Sequence, residues 1–146
     1  MNKVIFLDID GVMNGVASRL DHRRGFVGFL EPGNVAALNQ IVAATGAVVV
    51  ISSTWRLTIP WGDLKAAFHE VGCTAQLVDR TPDLDARDRQ REIIAWLAAQ
   101  ATPPARYVVI DDDFLMPDLP GALVRTSKLC GLTANDVPAV LRRLAD

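Results

Sequence analysis

A chain of 146 residues, 50% apolar and 22% charged, is long enough for one domain, 1–146, with a core of its own. Its net charge of −2 excludes polyanion binding by bulk electrostatics, so any nucleic-acid contact has to be a local patch. Cys73 and Cys130 stand apart without CxxC spacing and read as thiols in a reducing compartment. No signal-like N-terminus and no membrane-length apolar run is present, which gives the expectation of a cytoplasmic protein away from membranes.

The first apolar run, Val4 to Leu7, is too short for a helix and closes on Asp8, Ile9, Asp10 and Gly11. It predicts a strand over 3–8 buried on both faces, as in a parallel sheet. Residues 13–31, with Arg19, Asp21, His22, Arg23 and Arg24, lack a period and read as a loop or small hairpin beside the first acid pair. Pro32 and Gly33 open a helix with Val35, Leu38, Ile41 and Val42 on one face and Gly46 at its end. Ala47 to Ile51 is the second strand. Pro60 starts a helix carrying Leu64, Phe68 and Val71, stopped by Gly72.

A short third strand, Gln76 to Asp79, leads through the charged stretch 80–90 into a helix over 88–100. That helix carries Ile93, Ile94 and Leu97 on one side, and Pro103 and Pro104 forbid its continuation. The fourth strand is 106–111 and the fifth Ala122 to Arg125. The last helix has a stripe of Val137, Val140, Leu141 and Leu144. Its start has two readings: a capping box of Thr133 with Asp136, or Asp136 itself as the cap ahead of Pro138. Alternating strands and helices predict an α/β protein with a parallel sheet covered on both faces.

Ligands of open parallel sheets bind beyond the carboxyl ends of the strands. Asp8 and Asp10 follow one strand and Asp111, Asp112 and Asp113 another, so the two acid clusters can meet around one cation. In order, VIFLDIDGV (4–12), VVVIS (48–52), Arg89 ahead of a helix and VVIDD (108–112) resemble the four signature motifs of the haloacid dehalogenase (HAD) superfamily. More narrowly, SSTWR (52–56), TP (81–82), REIIAWL (91–97) and GLT (131–133) resemble the compact HAD domain of Swiss Army Knife RNA repair proteins. The resemblance implies a three-layer Rossmann-like fold around a five-stranded parallel sheet, and a Mg²⁺-dependent phosphatase. The spacing between motifs leaves no length for an inserted cap domain, so only a minimal cap is expected.

A phosphate ester anion repels nucleophiles, so its hydrolysis calls for charge neutralisation and a well-placed attacking group. Asp8 is the candidate nucleophile, forming an acyl phosphate. Asp10, swung over the substrate by the turn at Gly11, is the candidate general acid and then base. Mg²⁺ needs a few oxygen ligands, here Asp8, the Asp10 main-chain carbonyl, and Asp111 or Asp112, as HAD enzymes arrange them. Ser52, with Ser53 as the alternative, would hydrogen-bond a phosphoryl oxygen. Arg89, with Arg87 and Arg91 as alternatives, would supply the positive charge that a lysine more often gives.

Arg56 is a candidate to hold phosphate or the acidic cluster, with a structural salt bridge as the other reading. Ser53, Arg56, Arg23 and Arg24 are the candidate substrate contacts, with His22 a weaker one, and Asp113 and Asp118 candidates for support of the acid cluster. Trp61, Trp96 and His69 lie on helices and read as core or half-exposed. The expected substrate is a phosphomonoester, and an uncapped site suits a large one such as a polynucleotide end. Two alternatives remain: a phospho-receiver domain, with Asp79 at the third strand end as acceptor, and a HAD domain that only binds.

Overall fold

The structure is a computed structural model and describes residues 2–16, 29–85, 87–113 and 115–146. Five strands form one sheet: β1 (Lys3–Leu7), β2 (Val48–Ile51), β3 (Leu77–Arg80), β4 (Arg106–Asp111) and β5 (Leu123–Arg125). Their order is β3-β2-β1-β4-β5, and every neighbouring pair is parallel. The described helices are α1 (Pro32–Thr45), α2 (Trp55–Thr58), α3 (Trp61–Glu70), α4 (Arg89–Ala99) and α5 (Val137–Leu144).

Successive strand residues point to opposite faces, so the continuous apolar runs divide between two cores. Ile5, Leu7, Val49, Ile51, Val108 and Ile110 pack against α1, α3 and α5. Val4, Phe6, Val50 and Val109 face the other way, onto Ile93 and Trp96 of α4 and onto Met116 and Leu119. Trp96 stands edge-on to Phe6 with ring centroids 5.3 Å apart, a favourable geometry for paired aromatics. These are the three layers expected of an α/β protein.

The reading of Gly46 as the end of α1 holds: it closes the helix in the left-handed conformation, with its N–H on the Val42 carbonyl. Asp88, which the sequence reading does not single out, caps α4 by accepting from the Arg91 N–H. Other readings shift. β3 lies one residue further on than Gln76 to Asp79, and the single turn α2 is too short to show a period in the sequence. On α4, Ile94 is 37% exposed whereas Trp96 is 4% exposed, so the buried face is Ile93 with Trp96. Both readings of the last helix are half right: α5 starts at Val137 after Asp136, yet the Asp136 carboxylate turns back to accept from Thr133 N at 2.9 Å.

The chain builds outward from β1 through β2 and β3, then crosses back to β4 on the other side. The point of reversal lies between β1 and β4, and a crevice opens there at the carboxyl ends of the strands. This order differs from the 2-1-3-4-5 order of receiver domains. Asp79, the acceptor that alternative requires, has its carboxylate oxygens on Trp96 Nε1 at 2.8 Å and on Arg80 N at 2.8 Å.

Candidate active site

The sheet ladder runs one step past the strands and fixes the residues just beyond their ends. Asp8 N donates to Ile110 O at 3.1 Å, and Ser52 N donates to Leu7 O at 3.0 Å. The chain then turns sharply, with Val12 N and Met13 N both donating to Ile9 O. Gly11 sits in this turn at φ 80°, and a Cβ there would collide with the Asp112 carboxylate. Only glycine meets both demands without strain. Asn14 accepts from Gly11 N at 2.9 Å and donates to Asp10 Oδ1 at 3.0 Å, while Trp55 Nε1 donates to Asp10 Oδ2 at 3.1 Å. Each oxygen of the Asp10 carboxyl is therefore held by its own donor.

Carboxylate oxygens of Asp8, Asp111 and Asp112 lie within 4.8 Å of one another. Arg89 reaches into this group, with Nη1 3.1 Å from Asp8 Oδ1 and 2.7 Å from Asp111 Oδ2. Of the three arginines near the start of α4, it is the one joined to these acids in ion pairs among the described residues. Burial, reinforced by the neighbouring Asp111, pushes the Asp8 carboxyl up to about 8 against the opposing pull of Arg89. Burial also raises Asp112, helped by its hydrogen bond and charge contact with Asp111. Desolvation works against the Arg89 charge, but Asp8 and Asp111 more than offset it and raise its proton affinity.

Three convergent hard oxygen donors, with a glycine leaving room beside Asp112, fit a divalent cation of the Mg²⁺ type. A cation there would relieve the mutual repulsion that now falls on one arginine.

Ser52 is fully buried, and its Oγ has no hydrogen-bond partner among the described residues. An orphaned buried hydroxyl is costly, which marks this atom as one that an incoming group can satisfy. Ser53 Oγ accepts from Trp55 N at 3.2 Å, shaping the turn into α2, and its hydroxyl retains a proton to donate.

Arg56 is a correction. Its Nε donates to Thr81 O, Nη1 to Ser52 O and Ser53 O, and Nη2 to Pro82 O and Glu92 Oε2. A guanidinium has five N–H donors, and all five end on protein acceptors, so none is left for phosphate or for the acid cluster. The structural salt bridge is the reading that holds: Arg56 and Glu92 pair at 2.8 Å with side chains 2% and 4% exposed. This knot ties the Ser52 loop and the end of β3 to α4, the helix that carries Arg89.

Arg23, Arg24 and His22 lie outside the described residues. Asp118 pairs with Gln90, exchanging two hydrogen bonds with its side chain. Asp113 N donates to Asp111 Oδ1 at 2.9 Å, so its backbone supports the cluster. Sequence reasoning missed Trp55 and Asn14 as partners of Asp10. The one signal was an indole N–H within SSTWR, directly after the serine pair.

Residues 4–137 match the family model described as the HAD domain in Swiss Army Knife RNA repair proteins. No curated protein and no solved structure matches the chain.

Proposed function

The chain belongs to the family of HAD domains in Swiss Army Knife RNA repair proteins, and we propose that it is a Mg²⁺-dependent phosphomonoester hydrolase working through an aspartyl phosphate. The observation that supports this reading is the convergence of Asp8, Asp111 and Asp112 around Arg89 at the ends of adjacent strands. A structural ion-pair network would not need a third acid raised by burial beside the pair, nor an orphaned hydroxyl on the neighbouring strand end.

Mg²⁺ would be held by Asp8, Asp112 or Asp111, and the Asp10 main-chain carbonyl, and would offset the charge of the phosphoryl oxygens. An Asp8 carboxylate oxygen attacks phosphorus, and the bond to the leaving oxygen breaks. Asp10, oriented by Asn14 and Trp55, gives its proton to that leaving oxygen. It then takes a proton from water, whose oxygen attacks phosphorus, breaking the P–O bond to Asp8 and releasing phosphate. Arg89 holds Asp8 in place and balances negative charge as the phosphoryl group transfers. Ser52 Oγ donates to a phosphoryl oxygen.

The RNA repair context in the family's description favours polynucleotide ends as substrates. The test is turnover of p-nitrophenyl phosphate with Mg²⁺ and with chelator, beside Asp8→Asn. Metal-dependent turnover that the substitution abolishes supports the reading, and a stable phosphoenzyme without turnover would replace it with phosphate storage or signalling.

A further inference from the structure

A cleft of about 330 Å³ opens over the acid cluster, with Arg89, Asp111 and Asp112 in its lining. Two further cations line it from separate loops, Arg87 ahead of α4 and Lys128 after β5. Both are exposed, and neither is in an ion pair among the described residues. The other two cationic side chains of the lining are already engaged, Arg56 by Glu92 and the loop carbonyls, Arg89 by Asp8 and Asp111. Asp88 and Asp113 also line the cleft. Asp88 caps α4 through Arg91 N at 3.3 Å, and Glu92, also in the lining, pairs with Arg56.

The two loops are built to present these side chains. Arg87 is the one non-glycine residue with positive φ among those described, at 48°, in a turn closed by its N–H on Leu84 O at 2.8 Å. A bulky residue in this conformation is strained, and strain of this kind gathers at ligand sites. Lys128 rides a turn bridged between Ser127 and Gly131. That turn is fastened to the catalytic loop by Thr126 Oγ1 on Gly11 O at 2.6 Å and by Leu132 N on Val12 O at 2.7 Å. Gly131 comes so close that a Cβ there would lie 2.6 Å from Val12 O. The backbone that carries Lys128 is thereby held at the cleft, where the lysine's charge bears on Asp112.

We propose that Arg87 and Lys128 form a subsite for a second anionic group on the leaving group, so that preferred substrates carry another phosphate beside the one removed. The inference rests on the phosphatase reading and deepens it. A single phosphomonoester would be served by the catalytic centre, where a cation held by Asp8, Asp111 and Asp112 would meet its charge, Ser52 Oγ would donate to it, and Arg89 balances the acids. Two cations without an ion-pair partner among the described residues face the remainder of the substrate at the same cleft, and a neutral remainder would gain nothing from them. An exposed ion pair is worth about a factor of two to five, so the pair together gives a preference of about tenfold at low salt.

The test compares kcat/KM for p-nitrophenyl phosphate, a nucleoside monophosphate, its 3′,5′-bisphosphate and 3′- and 5′-phosphorylated oligonucleotides. These are measured in the wild type, in Arg87→Ala/Lys128→Ala and in Arg87→Lys/Lys128→Arg. Both the bisphosphate and the oligonucleotides should exceed the monophosphate about tenfold in the wild type, declining with salt. The ratio should fall to near one in the alanine pair and return in the charge-conserving pair. The expected gain for both assigns the subsite to any second phosphate on the leaving group, and a gain for the oligonucleotides alone, against that expectation, overturns it in favour of a polynucleotide backbone only. Turnover of p-nitrophenyl phosphate without preference for a second phosphate, or a preference that survives the alanine pair, overturns the subsite alone. No metal-dependent turnover of any substrate overturns the phosphatase reading and the subsite with it.

Discussion

Replacing Asp8 by asparagine should make the metal-free protein more stable as well as inactive, and the gain should depend on pH. Burial and the proximity of Asp111 carry the Asp8 carboxyl from 3.8 to about 8. Below pH 3.8 the group is neutral in folded and unfolded chains alike, and the folded state carries no penalty. Between 3.8 and about 8 the unfolded chain ionises while the folded one keeps its proton, so stability falls as pH rises. Each tenfold difference in proton affinity is worth about 1.4 kcal/mol, so the loss accumulates to on the order of 5 kcal/mol by pH 8 and then levels off. Asp8→Asn keeps the shape of the side chain and removes the ionisation, and Arg89 retains Asp111 as its partner at 2.7 Å. Urea denaturation in chelator at pH 5, 6.5 and 8 should therefore show a wild-type deficit against the variant that widens with pH. Mg²⁺ at a hundred times its dissociation constant should restore about 2.7 kcal/mol to the wild type, and less to the variant, which lacks one anionic ligand. A wild-type deficit that is the same at pH 5 and pH 8, or that Mg²⁺ leaves untouched, would refute the argument that burial and Asp111 hold a proton on metal-free Asp8 that a cation would displace.

Asp10→Asn should slow turnover by about 10²–10⁴-fold, with phosphoenzyme accumulating from a substrate with a good leaving group; a wild-type rate in both steps removes Asp10 from proton transfer. Trp55→Phe deletes the donor to Asp10 Oδ2 and keeps an aromatic ring at the position, so kcat should fall more than KM rises, as measured by steady-state kinetics on p-nitrophenyl phosphate. Ser52→Ala removes a buried hydroxyl that has no partner among the described residues, so denaturation should show stability unchanged or raised while kcat/KM falls about 10²–10³-fold. Arg56→Ala strands Glu92 and should cost about 3–5 kcal/mol of stability, read by denaturant melts, with Arg56→Lys giving little rescue because one ammonium cannot serve five acceptors.

The carboxylates were legible because parallel topology does the bringing together. Strands buried on both faces are written as unbroken apolar runs, and Val4 to Leu7 and Tyr107 to Ile110 are such runs, each ending in acids. Once the two strands neighbour one another in register, as Leu7 and Ile110 do, the acids that come next must meet. No long-range information was needed beyond the sheet. Trp55 to Asp10 and Arg56 to Glu92 are different in kind, for these partners are 45 and 36 positions apart. Their pairing depends on how loops fold back over the strand ends, and no period encodes it. The fate of Arg56 was open for that reason: its sequence neighbours reveal a charge near the second strand end, but not the five acceptors waiting for it.

Arg89 lies between these cases: the motif resemblance picks it out, but the helix face chosen from the sequence gives that choice no support. Taking Ile93, Ile94 and Leu97 as the buried side gives no reason to prefer Arg89 over Arg87 or Arg91. The buried residues of α4 are Glu92, Ile93 and Trp96. Counting back from Trp96 by helical spacing, the residues 96, 93, 92 and 89 form one stripe of i, i+3, i+4 and i+7. Side chains in a helix tilt toward its N-terminus, so the first member of this sheet-facing stripe leans off the end of α4 toward the strand ends, where Asp8 and Asp111 wait. Arg91 belongs to the opposite side with the half-exposed Ile94, and Arg87 precedes the cap. The aromatic that packs on Phe6 thus also determines which arginine enters the site: the burial of Trp96 fixes the rotation of α4, and that rotation aims Arg89. Trp96→Ala should accordingly do more than open a cavity worth about 3–5 kcal/mol. With the helix free to turn, Arg89 loses its register on Asp8, and kcat should fall in the folded fraction as well as the folded fraction itself, whereas a variant that loses stability with kcat per folded molecule intact would uncouple the two.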